Sequence, residues 1–431
     1  MRLRLAAAAA CVVAFAVAWP VHAADPLTLD DAFARVAETH PDLRMFAARR
    51  DVLAAELDRA SLTPALVAGA EVENAFGTGE ASGVDGAELT LSLASVLERG
   101  GKLDARRTLA QSRIDALAVE REAQRLDLLA ETARRYLAVV AAQRHAGVAR
   151  LDIEQRERTV AAARARHQAG ASPESVVLTA QAALARAELD LARAQQRETA
   201  ARQHLAALWG ERAPAFEIAG TNPLALPALV EFTVLADWLK RTPELARFAG
   251  QARIREARLQ LARSEASADL DWQVGVRALS GGEDFGLVGS VSLPLGAASR
   301  AQPGIRAARA ELAALEIERE AAGLALYSTL AEAHGRYRVA QLEVARLQSD
   351  VLPRLDRAEA AAERAYRAGA ASYLEWATLQ ADTTEARRQQ LQAALDAQRA
   401  LIEIQRLTGQ VFIDRPAVAG GQPQTEEGVA P

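Results

Sequence analysis

The sequence is written twice. LTLDDAFARVAETHPDLRMFAARRDVLAAELDRA (27–60) returns as FTVLADWLKRTPELARFAGQARIREARLQLARSEA (232–266), with His40-Pro41-Asp42-Leu43 answered by Thr242-Pro243-Glu244-Leu245. QAGASPESVVLTAQ (168–181) returns as RAGAASYLEWATLQ (367–380). Repetition of a whole order, rather than of one motif, means that one unit is built twice and buries its faces against neighbouring units.

In both openings the residue before proline is forced out of the helical region, and the proline then starts a new helix at its first turn. Each half therefore begins with a short helix, a break and a second helix. The pattern then switches to period two. Leu66, Ala68, Ala70 and Val72 alternate with Gly69, Glu71 and Glu73, and Leu89, Leu91 and Leu93 alternate with Glu88, Thr90 and Ser92. In the second half Leu270, Trp272, Val274 and Val276 alternate with Asp271, Gln273, Gly275 and Arg277, and Gly289, Val291 and Leu293 with Val288, Ser290 and Ser292. These are strands of about ten residues, the length that crosses a membrane with one face on lipid and one on water. Half-buried hairpins packed on a helix fit the same alternation. On either reading Glu71, Glu73, Glu88, Asp271 and Arg277 share the water-facing side.

Long helices follow. Between about Leu97 and Gln168 there is no proline, and Leu126, Leu129, Ala133, Leu137 and Val140 step by three and four along one stripe. The second rod, from about Gln302 to Arg367, contains Pro353, which removes a backbone donor and predicts a kink. At the corners Gly170 and Gly369 stand where a left-handed residue closes a helix, and Ser172 and Ser372 are candidate N-caps for the helices that return. Of the 431 residues 50% are apolar but only 4% aromatic, the composition of long helices.

The N-terminus reads as a secretory signal over 1–23, with basic MRLR, an apolar run and a cleavage site at Val21-His22-Ala23. Without Arg2 and Arg4 the basic count falls from 51 to 49 against 56 acidic residues, a net charge near −7 that argues against nucleic acid. The only cysteine, Cys11, lies inside the apolar run and is expected to leave with it, a lipid anchor on Cys11 being the alternative. No later segment has a run of apolar residues long enough for a transmembrane helix. The expected layout is a first repeat over 24–210, with its hairpin at about 65–95, long helix at 97–168 and return helix at 174–209. A linker follows at 211–231. The second repeat covers 232–414, with hairpin at about 269–295, long helix at 302–367 and return helix at 373–408, before a disordered tail at 415–431. The fold class is mixed α+β, mostly α. Four strands leave two bare edges, which lipid forbids, so strands in a membrane require several chains to share one barrel.

No enzyme is expected. His40, His145, His167, His204 and His334 pair with no second histidine at helical spacing, and no metal, nucleotide or nucleophile-elbow motif occurs. No cofactor and no metal site are assigned.

The duplicated layout, the early pattern at Leu29, Ala32 and Pro41, and the corner Tyr366, Gly369 and Ser372–Glu375 resemble the TolC family of outer-membrane efflux proteins, over nearly the whole mature chain. VLERGGKLDARR (96–107) and YRAGAASYLEWATLQAD (366–382) resemble its heavy-metal, CzcC-like subgroup. The resemblance implies a homotrimer with one shared twelve-stranded barrel in the outer membrane, and a helical tunnel in the periplasm. It also implies a periplasmic adaptor and an inner-membrane pump of the RND type, and export of heavy-metal cations. A multidrug or type I secretion channel is the alternative within the family; a soluble periplasmic coiled-coil spacer or adaptor is the alternative outside it. The family places adaptor docking at the corner tips, here Gly170, Ser172, Gly369, Ser372, Tyr373, Leu374 and Trp376. Glu174, Glu375 and Asp382, set against Arg364 and Arg367, are the expected gate charges. Three copies of Glu71, Glu73, Glu88 and Asp271 against Arg277 are the expected charges of the barrel lumen. His167 replaces the counterpart of Tyr366, so the two corners are not equivalent.

Overall fold

A computed structural model describes residues 26–410 apart from 80, 81, 85 and 280–283. The expected signal, Cys11 and the tail lie outside the described residues.

Helix α1 (Leu29–Thr39) opens with a capping box: the Thr28 hydroxyl accepts from the Asp31 amide at 3.1 Å and the Asp31 carboxylate accepts from the Thr28 amide at 3.0 Å. Helix α2 (Pro41–Ala60) starts at proline, with the His40 ring accepting from the Asp42 amide at 3.2 Å, so His40 is a cap. Strands β1 (Val67–Glu73) and β2 (Glu88–Leu97) form the first hairpin. Helix α3 (Lys102–Gln168) runs 67 residues, about 100 Å at 1.5 Å per residue. It begins later than the expected 97, because β2 continues to Leu97 and Gly100 and Gly101 then turn the chain at positive φ. Helix α4 (Glu174–Ala206) returns along it and closes in a 3-10 turn, Ala207–Trp209.

The second half repeats the order with α5 (Phe232–Leu239), α6 (Pro243–Ser264), β3 (Leu270–Leu279), β4 (Phe285–Ser292) and α7 (Ala297–Arg346). Helix α7 starts ahead of the expected 302 and carries Pro303 inside it. A π-helical turn, Leu347–Val351, separates it from α8 (Leu352–Arg367); the Leu352 amide bonds back to the Leu347 carbonyl. The extra residue in that turn accommodates Pro353, which has no amide to donate. Helix α9 (Tyr373–Thr408) completes the fold.

Packing repeats too. In the first half Leu27, Val36, Val139, Leu205, Phe216 and Ile218 surround Tyr136, whose hydroxyl donates to the Leu27 carbonyl at 3.1 Å. In the second, Leu235, Leu330, Ile404 and Leu407 surround Tyr337, whose hydroxyl donates to the Pro227 carbonyl. Burial pushes the Tyr337 phenol up to about 12. Both tyrosines thus tie the segment between the halves to a rod, and Leu27 and Ile218 form a parallel bridge. Between rods the contacts are largely alanine, as at Ala141, Ala163, Ala180, Ala393 and Ala394, which lets helix axes approach closely. Helix α3 packs on α2, α4, α6 and α9, and so joins the two halves. Arg406 of α9 seals that seam, pairing with Glu403 at 2.8 Å, Glu244 of α6 at 2.6 Å and Asp127 of α3 at 2.9 Å. Burial alone would disfavour the charged form of both, lowering the pKa of Arg406 and raising that of Glu403; their mutual contact outweighs burial for both, and each stays charged.

Candidate functional site

The two hairpins form one antiparallel sheet in the order β1-β2-β3-β4. The joint is β2 with β3, from Glu88 opposite Leu279 to Leu97 opposite Leu270. Side chains alternate across a strand, so this register sorts the whole sheet into two faces. One holds Ala68, Ala70, Val72, Leu89, Leu91, Leu93, Trp272, Val274, Val276, Phe285, Leu287 and Val291. Among the described residues nothing covers it: Leu91 is 57% exposed, Phe285 77% and Leu287 91%. The other face is polar, with Gly69, Glu71, Glu73, Glu88, Thr90, Ser92, Asp271, Gln273, Gly275, Arg277, Ser290 and Ser292. It is also tight. A Cβ on Gly275 would stand 2.7 Å from the Leu91 carbonyl, and one on Gly69 3.0 Å from the Ser92 hydroxyl.

The charges of the polar face are not free of one another. Arg277 pairs with Glu73 and with Glu88, each at 2.7 Å, and its Nε donates to the Thr90 hydroxyl at 3.0 Å. Asn74, at φ 57, donates to Glu88 at 3.3 Å. Glu71 is exposed one step further along the strand, and Asp271 is exposed at the opposite end, facing Val96 and Ser292. The sequence expectation grouped these five residues; the structure splits them into a paired cluster and two exposed carboxylates.

At the other end of the sheet the ERGGK stretch locks both hairpins to the rods. Glu98 pairs with Arg106, the Arg99 amide donates to Asp269 at 3.0 Å, and Lys102 pairs with Asp269 at 2.7 Å. Gly100, at φ 75, lies so close to Ser267 that a Cβ would stand 2.4 Å from its hydroxyl.

The corners come next. At each, the glycine amide bonds the carbonyl three residues back and the following amide reaches five back: Gly170 to His167 and Ala171 to Arg166, Gly369 to Tyr366 and Ala370 to Ala365. Gly170 and Gly369 have φ 69 and 80, so both corners are the same left-handed helix end. Their exits differ. Ser372 caps α9, accepting from the Glu375 amide at 3.1 Å. Ser172 does not cap α4. Pro173 holds the N-cap position with extended backbone, which leaves Ser172 one residue too early. Trp376 is not a tip surface either: it is 1% exposed, packed on Ala362 and on Tyr366 with ring centroids 5.3 Å apart. Tyr373 is half-buried, its ring 6.4 Å from that of Tyr366. Leu374 alone of the apolar trio projects, at 72% exposure. Glu174, Glu375, Asp382 and Arg364 are exposed, and Arg367 pairs at 2.6 Å with Glu363 of its own helix, not with any of the three acids.

Sequence reasoning missed a buried polar layer just inside the corners. Asp152 accepts from Arg156 Nε at 3.2 Å and from the Thr384 hydroxyl at 3.0 Å. Thr159 donates to the Gln380 side chain at 3.0 Å, and Gln155 donates to Glu359 of α8 at 3.3 Å. Only the recurrence of Gln at the ends of the two quoted corners hinted at it. Among the described residues no group of His, Cys, Asp or Glu is arranged to hold a metal, and no helix is long and apolar enough to cross a membrane.

Residues 33–211 match the sequence profile of the family described as outer membrane efflux protein. The cobalt-zinc-cadmium resistance protein CzcC of Cupriavidus metallidurans is 27% identical over 392 residues, covering 91% of this chain and 92% of that protein. This chain is thus similar to the outer membrane efflux proteins. Solved structures share the fold of this chain: CusC, with TM-score 0.74 and 16% identity, covers 89% of this chain and 92% of its own. VceC of Vibrio cholerae, with TM-score 0.72 and 17% identity, covers 89% and 97%. The matched family is described as one of outer membrane efflux proteins, and CusC as forming a transmembrane channel.

Proposed function

We propose that three copies of this chain close their sheets into one twelve-stranded barrel in the outer membrane, with the rods joined below it into a periplasmic tunnel. The single observation that carries this is the sheet itself. It has one continuous apolar face exposed to solvent, one polar face, and bare edges at β1 and β4. Water penalises that apolar face and lipid forbids bare edges, so the arrangement is stable only when copies pair edge to edge within a bilayer. The rods extend about 100 Å beyond it, a length that suits a conduit across the periplasm.

The cargo we propose is heavy-metal cations, delivered by an RND-type pump and a periplasmic adaptor that meets the corner tips. The relation to a cobalt-zinc-cadmium resistance protein over most of both chains supports this, as does the acidic excess of the polar face. The channel is passive, so no resident metal is required. The test has two parts. Membrane-extracted protein is run with and without boiling, and a heat-modifiable trimer in the outer-membrane fraction is expected; full recovery as soluble protein would sink the proposal. A deletion strain is then challenged with cobalt, zinc and cadmium salts and with a drug panel. Sensitivity to the metals alone is expected, and sensitivity to drugs alone would replace the cargo class.

A further inference from the structure

We infer that Arg277 sets the ion preference of the conduit by offsetting half the charge of the Glu73 and Glu88 pair at the loop end of the polar face, which leaves a net of one negative charge from that pair beside Glu71 and Asp271. This deepens the proposed function and rests on reading the polar face as the lumen. Arg277 is the only basic residue in the four strands. It lies opposite Thr90, which is 3% exposed, so the guanidinium lies flat across the sheet. From β3 it spans β2 to reach Glu73 on β1. Glu73 and Glu88 stand directly opposite one another, a like-charge pair that is unfavourable by itself. The fork of Arg277 holds one oxygen of each at 2.7 Å and turns repulsion into a bridge.

The charge profile follows. At the loop end three carboxylates, Glu71, Glu73 and Glu88, meet one guanidinium, a net of −2 per chain rather than −3. Asp271 lies six residues along β3, about 20 Å away, with no basic side chain beside it in the sheet. A permeant ion passing three copies meets each level three times, and field focusing in a narrow lumen makes the net charge at a level count. Loss of Arg277 adds three effective negative charges at the loop-end level. At low salt that shifts cation-over-anion preference about threefold.

The experiment is the reversal potential of the full-length protein in planar bilayers under a dilute potassium chloride gradient. Arg277→Gln is expected to raise the potassium-over-chloride permeability ratio about threefold, and Arg277→Lys to leave it near wild type. The double variant Glu73→Gln/Glu88→Gln leaves the guanidinium uncompensated and is expected to lower the ratio, as are Glu71→Gln and Asp271→Asn. An unchanged ratio in Arg277→Gln, with the trimer intact, overturns the inference. If Arg277→Gln does not assemble, an unchanged ratio in the double variant overturns it instead. Absence of any conductance from the wild type overturns the channel reading and this inference together, whereas conductance with indifferent variants overturns only the inference.

Discussion

Arg166 of α3 lies over the ring of Tyr366 of α8, its guanidinium carbon 4.8 Å from the ring centroid, and donates to the Tyr366 carbonyl. It also donates to the Ala171 carbonyl at 3.4 Å, so one side chain ties both corners together. A partly exposed cation–π contact contributes on the order of 1 kcal/mol and a charged hydrogen bond about 1.5. Arg166→Gln is therefore expected to raise amide exchange across Tyr366–Ser372 at least tenfold, with exchange in the β-sheet unchanged. Wild-type exchange in the variant would mean that the corners are held by packing alone.

The two exits give a paired test of capping. Ser372→Ala removes the acceptor for the Glu375 amide and is expected to cost about 1 kcal/mol of α9 stability. Ser172→Ala is expected to cost nothing measurable, since Pro173 is the cap. Limited proteolysis at the corners reads the difference, and equal sensitivity of the two variants would contradict the assignment.

Leu374 and Trp376 also separate by burial. Leu374→Asp adds a charge to a side chain that touches little, so the trimer is expected to melt as wild type while crosslinking to the adaptor and metal resistance are lost. Trp376→Ala empties a packed site and is expected to destabilise the corner by about 3 kcal/mol or more. A Leu374→Asp protein that still crosslinks and still confers resistance would remove the tip from the docking surface.

Glu359 makes the corner sensitive to pH. Burial raises its pKa above the usual carboxylate value, and the Thr383 hydroxyl and the Arg387 charge oppose this only in part, while Asp356 adds to it. The folded state binds this proton more tightly than the unfolded chain. Its contribution is thus most favourable at low pH and is lost as pH rises from the ordinary glutamate value through the raised one. Glu359→Gln is expected to flatten this dependence and to stabilise the corner at neutral pH. Protease resistance of the α8–α9 tip, followed from about pH 4 to about 8, checks it; identical slopes in both proteins would exclude Glu359 as the source.

The sheet faces predict opposite responses to one substitution. Val276→Arg places a charge on the apolar face and is expected to cost about 2–4 kcal/mol of folding into lipid vesicles. Gln273→Arg, on the polar face, is expected to cost little. Equal costs would show that neither face meets lipid.

Local chemistry made much of this fold legible. Pro41 and Pro243 each open a helix because proline lacks only an amide that the first turn leaves unpaired. The alternation of Leu89, Leu91 and Leu93 with Glu88, Thr90 and Ser92 assigned the faces of β2 before any neighbour was known. What escaped the sequence depends on partners distant along the chain. The pairing of β2 with β3 joins segments from different halves, and the Arg277 bridge exists only in that register. Trp376 read as a surface aromatic because Tyr366, the residue that covers it, belongs to the preceding helix. At Ser172 the error was of one residue: serine is the commoner cap, but the proline after it took the position.

The π turn at Leu347–Val351 has a consequence for the duplication itself. It admits one residue more than an α-helical turn and takes up that residue within the turn, where a plain α-helix would pass it on as a rotation of about 100° about its axis. Gly170 and Gly369 close their helices in the same way, so the π turn lets the second rod carry both Pro353 and an extra residue without giving up its corner. Adding a single residue elsewhere in α8 would leave every motif in place and aim Leu374 at a different neighbour.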